Sequence, residues 1–283
     1  MKSGYGQVII LTLVFLVLVL NLVQLSTGAE VHTPEEEVPL QLVGSSGAIN
    51  SLARNILLSR TEELLLPPQQ TVVAQKPLPE LPDLVFSGTA VDKVAITFDD
   101  GPFPGMTEQY LEILSQYGIK GTFFVVGELA RQNPAQLQKI VEQGSELGNH
   151  SWAHGRLDKM PLEKVVSDLR RVAELIYETT GQEVRFLRPP YGRHSPAVIE
   201  AAEELGQQLV LWNVDPRDWD KASTREIVNR VMAQVRPGSI ILLHEGHPNT
   251  IKALPQIIEK LRERGLEPVS VSELLQSYGE ETT

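Results

Sequence analysis

Between Asp92 and Gln276, short apolar runs alternate with amphipathic stretches about seven times, and this alternation constrains the fold more than any other feature of the chain. Strands separated by helices pair side by side in parallel, because a parallel connection needs a long crossover where a hairpin needs only a tight turn. Strands are expected over 94–98, 121–126, 146–149, 186–188, 208–213, 239–243 and 267–269. Helices are expected over 106–117, 134–143, 161–180, 196–205, 224–235 and 250–264, with a short one near 272–276. Punctuation agrees with this reading. Asn133 and Ser195 each precede a proline that opens a helix, and Gly118, Gly144, Gly181, Gly206 and Gly265 stop the helices before them. The result is an α/β domain over 92–278, either a barrel or an open sheet.

The chain ahead of this domain reads differently. Val8 to Leu20 is apolar apart from Thr12, follows the positive charge of Lys2, and precedes the small residues Thr27-Gly28-Ala29. Residues 1–29 are expected to be an export signal or, taken over 7–25, an uncleaved membrane anchor. Either way the remainder would act outside the cytoplasm, at the cell envelope. Residues 30–91 carry Pro34, Pro39, Pro67, Pro68, Pro77, Pro79 and Pro82 and read as a proline-rich linker or stalk, with one short helix within 49–66.

Composition removes several classes of function. A formal charge of −11 argues against a nucleic-acid partner held by its phosphates. The absence of cysteine excludes zinc–thiolate sites, thiol nucleophiles and disulfides.

In parallel α/β folds, ligands bind at the carboxyl ends of the strands. Five of the expected strands end in titratable or cationic residues: Asp99 and Asp100 after the first, His150 after the third, Arg188 in the fourth, Asp215 and Asp218 after the fifth, and His244 after the sixth. Surface loops carry polar residues by default, so one such placement means little; five place chemistry on a single rim.

His150 and His154 are four residues apart, a spacing that lets two imidazoles meet one metal where the chain is helical or tightly turned. With one carboxylate of the Asp99-Asp100 pair they make a three-ligand site with a position open to water, and the other carboxylate is then free to act as a base. An Asp-Asp-Gly segment alone is an ordinary turn. Arg188-Pro189-Pro190-Tyr191-Gly192 couples an arginine to a proline-stiffened turn, which could aim the Tyr191 amide at an oxyanion. Trp219, in Asp215-Pro216-Arg217-Asp218-Trp219, could line a sugar or acyl pocket or simply pack in the core. His244 ends an apolar run and is a candidate general acid whose pKa a carboxylate would tune. His247 and Glu245 lie near it but are less well placed, and His32 and His194 are read as incidental.

Taken together, the segments 97–101, 150–154, 188–192, 215–219 and 242–244 resemble, in order, the five motifs of the polysaccharide deacetylases of carbohydrate esterase family 4, the NodB homology domain. Residues 123–127 resemble that family's second strand. The resemblance implies a distorted (β/α) barrel with fewer than eight repeats, about seven here. It implies one divalent metal, commonly zinc with cobalt, manganese or nickel accepted, held by Asp100, His150 and His154. It also implies Asp99 as base, Arg188 as the residue orienting it, the Tyr191 amide as oxyanion donor, His244 as acid, Asp218 as the carboxylate tuning His244, and Trp219 as a pocket wall. The implied activity is N-deacetylation of a cell-surface glycan, with peptidoglycan favoured over chitin oligomers by the export segment. A different amide hydrolase and a non-catalytic glycan-binding or sporulation protein are the alternatives. The chain departs from the family pattern at Glu245, where an aspartate is common.

Overall fold

The computed structural model describes residues 78–276. Eight strands are present among them: β1 Leu84–Val85, β2 Lys93–Asp99, β3 Thr122–Val125, β4 Glu146–Asn149, β5 Phe186–Leu187, β6 Gln208–Val210, β7 Ile240–His244 and β8 Glu267–Val269. Every strand pair is parallel, in the order β1-β6-β5-β4-β3-β2-β7, with β8 on the leading half of β2. A parallel bridge between Val214 and Ile241 carries the chain after β6 onto β7, so the sheet curls toward closure. The fold is the distorted (β/α) barrel expected.

Among the described residues there are eight α-helices: α1 Thr107–Gln116, α2 Gly127–Gln132, α3 Pro134–Glu142, α4 Leu162–Thr180, α5 Pro196–Glu204, α6 Thr224–Gln234, α7 Pro248–Glu263 and α8 Val271–Leu275. In α4, Val165, Val166, Leu169, Val172 and Ile176 are buried. They recur at the three- and four-residue spacing of one helical face, and each such aliphatic contributes about 1.5–3 kcal/mol on burial. Gly181 then ends the helix at φ 72°, a conformation glycine reaches without Cβ strain. Capping boxes open α6, through Ser223 and Glu226, and α8, through Ser270 and Glu273. β2 is buried from Val94 to Asp99: Val94, Ile96 and Phe98 pack under the surrounding helices, while Ala95 packs against Phe124, Phe186, Val210 and Ile240 of the other strands, so both faces are covered and the strand reads as an unbroken apolar run.

Two elements differ from expectation. β1 lies inside the stretch read as linker: Leu84 and Val85 pair with Leu209 and Val210, and Leu78 and Leu81 pack beside buried Val85. The final part of the 30–91 stretch therefore belongs to the sheet edge. α2 was not anticipated, and it starts directly from the end of β3. The apolar segment 1–29, the helix expected within 49–66 and His32 lie outside the described residues. Among the described residues no helix is long and apolar enough to cross a membrane.

Candidate active site

The sheet register brings the strand ends into one rim. Asp99 is in register with Phe124 of β3 and with His244 of β7, and Asn149 is in register with Leu187. On this rim Asp100, His150 and His154 meet, with one ligand atom from each lying within 4.8 Å of the others. Asp100 Oδ1 is 3.4 Å from His150 Nε2 and 3.2 Å from His154 Nε2; it is buried and finds no well-directed hydrogen bond. His150 Nδ1 donates to the Arg188 carbonyl at 2.6 Å. That bond fixes the tautomer and leaves the Nε2 lone pair facing the cluster. One carboxylate and two imidazoles converging on an unsatisfied oxygen fit a divalent cation. Burial works to raise the Asp100 pKa, but the adjoining imidazoles of His150 and His154 outweigh it and hold the carboxyl well below its usual range.

The loop bearing the histidines is a series of bends, not a helix. Its shape comes from outside contacts: Asn149 Oδ1 accepts the Ser151 amide at 3.0 Å, and Asp168 Oδ1 accepts the Trp152 amide at 2.8 Å. Asp100, Ser151, His154 and Tyr191 adopt φ of 75°, 66°, 52° and 62°. Left-handed backbone at a non-glycine residue costs on the order of 1–3 kcal/mol, and here it recurs at the positions that face one another.

Asp99 sits beside this cluster. Its Oδ1 accepts from Arg188 Nη1 at 2.8 Å, while its Oδ2 lies 3.7 Å from His150 Nε2. Arg188 has no exposed surface. Its remaining donors go to Thr97 Oγ1 at 2.7 Å, Val210 O at 3.0 Å and Leu211 O at 2.9 Å, and its guanidinium carbon lies 4.1 Å from the Phe124 ring centroid. Burial pulls the guanidinium below its ordinary pKa and the Asp99 carboxylate resists that; an arginine remains charged through such a shift.

His244 faces the opening from β7. Its Nδ1 meets Asp218 Oδ1 at 2.7 Å, and its amide donates to Asp218 Oδ2 at 2.8 Å. Thr250 Oγ1 donates to the same Oδ2 at 2.8 Å and the Trp219 amide to Oδ1 at 3.1 Å. Burial alone would lower the imidazole pKa. The Asp218 pair outweighs it, with smaller contributions from Asp99 and Asp100, and lifts His244 to about 9.

The remaining expected residues fall at different depths. Tyr191 is 59% and Trp219 47% exposed, so Trp219 is not core packing. The Tyr191 ring stands edge-on to His154 at 4.7 Å. In the turn beneath it, the Gly192 and Arg193 amides donate to Pro189 and Pro190 carbonyls, and the Tyr191 amide is left out of those bonds. Asp215 caps its own turn through the Arg217 amide at 2.7 Å. His247 is 6.4 Å from His244, ring to ring, and His194 is exposed. Glu245 is turned inward beneath the Asp99-Asp100-Gly101 turn, and burial raises its pKa to about 8. Thr97, two residues before Asp99, shares its strand face, and strand period alone would have pointed to it. Thr250 and Asp168 reach the site from helices and carry no local signal.

Residues 87–210 match the family described as polysaccharide deacetylase. A peptidoglycan-N-acetylglucosamine deacetylase from Bacillus cereus is 38% identical over 187 residues, which are 64% of this chain and 87% of that protein. The peptidoglycan-N-acetylglucosamine deacetylase PgdA of Listeria monocytogenes is 35% identical over 66% of this chain, and the match spans only 39% of the Listeria protein. Among solved structures, a pseudoenzyme of carbohydrate esterase family 4 from Bacillus anthracis superposes with a TM-score of 0.66 at 29% identity, covering 68% of each chain. With the barrel, the rim and the order of its motifs already in place, these likenesses establish that the chain belongs to the polysaccharide deacetylase family.

Proposed function

We propose that this protein is a metal-dependent deacetylase that removes acetyl groups from the N-acetylated amino sugars of peptidoglycan. The observation that carries the reading is the position of Asp99: one oxygen is fixed by a buried arginine and the other faces the Asp100–His150–His154 cluster, across the rim from a histidine paired to a buried aspartate. The substrate is argued from the relatives, of which those from Bacillus cereus and Listeria monocytogenes act on peptidoglycan N-acetylglucosamine. The apolar segment near the N-terminus supports action at the cell envelope, after secretion or from a membrane anchor.

Asp100, His150 and His154 would hold the divalent ion, zinc in the first instance, which supplies Lewis acidity and a water of lowered pKa. The residues around it divide the proton transfers. Asp99, oriented by Arg188, takes a proton from the attacking water as its oxygen bonds to the acetyl carbon. The Tyr191 amide donates to the oxygen of the tetrahedral carbon. His244 then gives its proton to the amide nitrogen as the carbon–nitrogen bond breaks, leaving acetate and a free amino sugar. Asp218 keeps His244 protonated and correctly oriented, and Trp219 walls the sugar side.

Purified protein is expected to release acetate from peptidoglycan, to lose that activity with a chelator and to regain it with zinc or cobalt. Release from chitin oligomers alone would move the substrate, and no release from either glycan with metal present would favour the non-catalytic reading. The Bacillus anthracis pseudoenzyme shows that membership in the family does not guarantee turnover; in favour of turnover here, Asp100, His150 and His154 lie together, and Asp99 and His244 have Arg188 and Asp218 as partners.

The role of His244 fixes the sign of a pH effect. A general acid works below its pKa, so activity is retained there and lost as pH rises through it, near 9 for His244. A bound dication lowers that value but leaves the Asp218 contribution in place. Asp218→Asn is therefore expected to move the alkaline limb of kcat/KM toward acid by at least about one pH unit. An unmoved limb would remove His244 from the role of acid.

A further inference from the structure

We infer that Glu245 is a positioning residue that locks the turn carrying Asp99 and Asp100 to the turn carrying His244, and thereby sets how tightly the Asp100–His150–His154 cluster holds its ion. The inference rests on the metal-centre reading above. The Glu245 amide donates to the Asp99 carbonyl at 2.9 Å, extending the β2–β7 pairing one residue past His244. Its side chain, 2% exposed, then runs back under the acid pair. Oε2 accepts from Thr107 Oγ1 at 2.5 Å, and that hydroxyl accepts the Phe103 amide at 2.9 Å. Oε1 fills the space beside Gly101 so completely that a Cβ added there would stand 1.8 Å from it.

One carboxyl group therefore contacts both ends of the turn that leaves Asp100. Two further contacts tie the same loops. Tyr110 Oη donates to the His244 carbonyl at 3.2 Å, and Gly246 lies against the Phe103 ring, where a Cβ would be 3.3 Å from Cε2. The left-handed conformation of Asp100 persists only where its surroundings over-determine it, and Glu245 is the side chain that does so from below. A buried carboxyl is costly where its hydrogen bonds are not used; Oε2 is satisfied by Thr107 but Oε1 is buried without a hydrogen-bond partner, a cost that an apolar residue filling the same space would not carry. An aspartate, common here in the family the chain resembles, is one methylene too short to reach both Gly101 and Thr107.

The test measures cobalt binding, which does not depend on any substrate. Glu245→Ala and Thr107→Val are expected to weaken Co2+ affinity at least about tenfold, as loss of outer-shell partners does, and to shift the visible absorption of the cobalt protein. Glu245→Gln, whose amide keeps a carbonyl for Thr107 and fills the place of Oε1, is expected to retain both affinity and spectrum. The double variant Glu245→Ala/Thr107→Val should bind no more weakly than Glu245→Ala alone, because the two groups act as one unit. Melting of the metal-free proteins separates folding from positioning. Unchanged cobalt affinity and spectrum in Thr107→Val and Glu245→Ala, even with lowered melting temperatures, would overturn the inference. Should Glu245→Ala fail to fold, Thr107→Val decides alone. A wild-type protein that binds no cobalt would sink the metal-centre reading and this inference with it.

Discussion

Asp99→Asn is expected to lower kcat by about 10²–10⁴-fold, the usual worth of a positioned base, while leaving metal affinity nearly unchanged. The substitution is isosteric. An asparagine oxygen can still accept from Arg188 Nη1, as Asp99 Oδ1 does at 2.8 Å, and its amide would stand where Oδ2 now faces His150. What it lacks is the ability to take a proton from water. Asp100, His150 and His154 are untouched, so a titration with zinc or cobalt should match the wild type. Full acetate release by the variant would exclude Asp99 as base; loss of metal along with activity would make it a ligand instead.

Arg188→Ala is expected to cost about 3–5 kcal/mol of stability, because removing one partner of a buried ion pair leaves the other charge uncompensated. For a domain of this size that corresponds to a fall in melting temperature on the order of 10 °C. Lysine should not rescue it. The guanidinium divides its donors among Thr97, Asp99, Val210 and Leu211 in one plane, and a single ammonium cannot reproduce that fork. Activity should fall further than folding explains, since Asp99 loses the partner that aims it. Arg188→Lys with wild-type melting and turnover would show that the buried site requires only a positive charge.

The parallel α/β alternation was legible because its strands are buried on both faces; the choice of barrel over open sheet came from the family resemblance. Val94 to Phe98 and Ile240 to Leu243 read as continuous apolar runs, and glycine and proline mark the helix ends between them. β1 was not legible: two residues set among prolines carry no periodicity, and only pairing with Leu209 and Val210 makes them a strand. The same division holds at the site. Asp99, Asp100, His150, Arg188 and His244 announce themselves because strand ends are where parallel sheets present polar groups. The supporting residues do not. Thr107 and Thr250 reach their carboxylate partners from 138 and 32 residues away, and Glu245, next to a strand end like the others, points inward for reasons that lie in Gly101 and Thr107.

The cluster of left-handed residues has a consequence for how the protein would respond to selection. Asp100 and His154 occupy backbone that glycine adopts freely, so glycine at either position relieves strain while deleting a side chain of the Asp100–His150–His154 cluster. Under selection for heat resistance alone, such replacements are favoured; under selection for turnover they are eliminated. Thermostabilisation of this domain should therefore be pursued on the outer faces of its helices, with the rim held constant, because at the rim the most stable sequence and the working sequence are different ones.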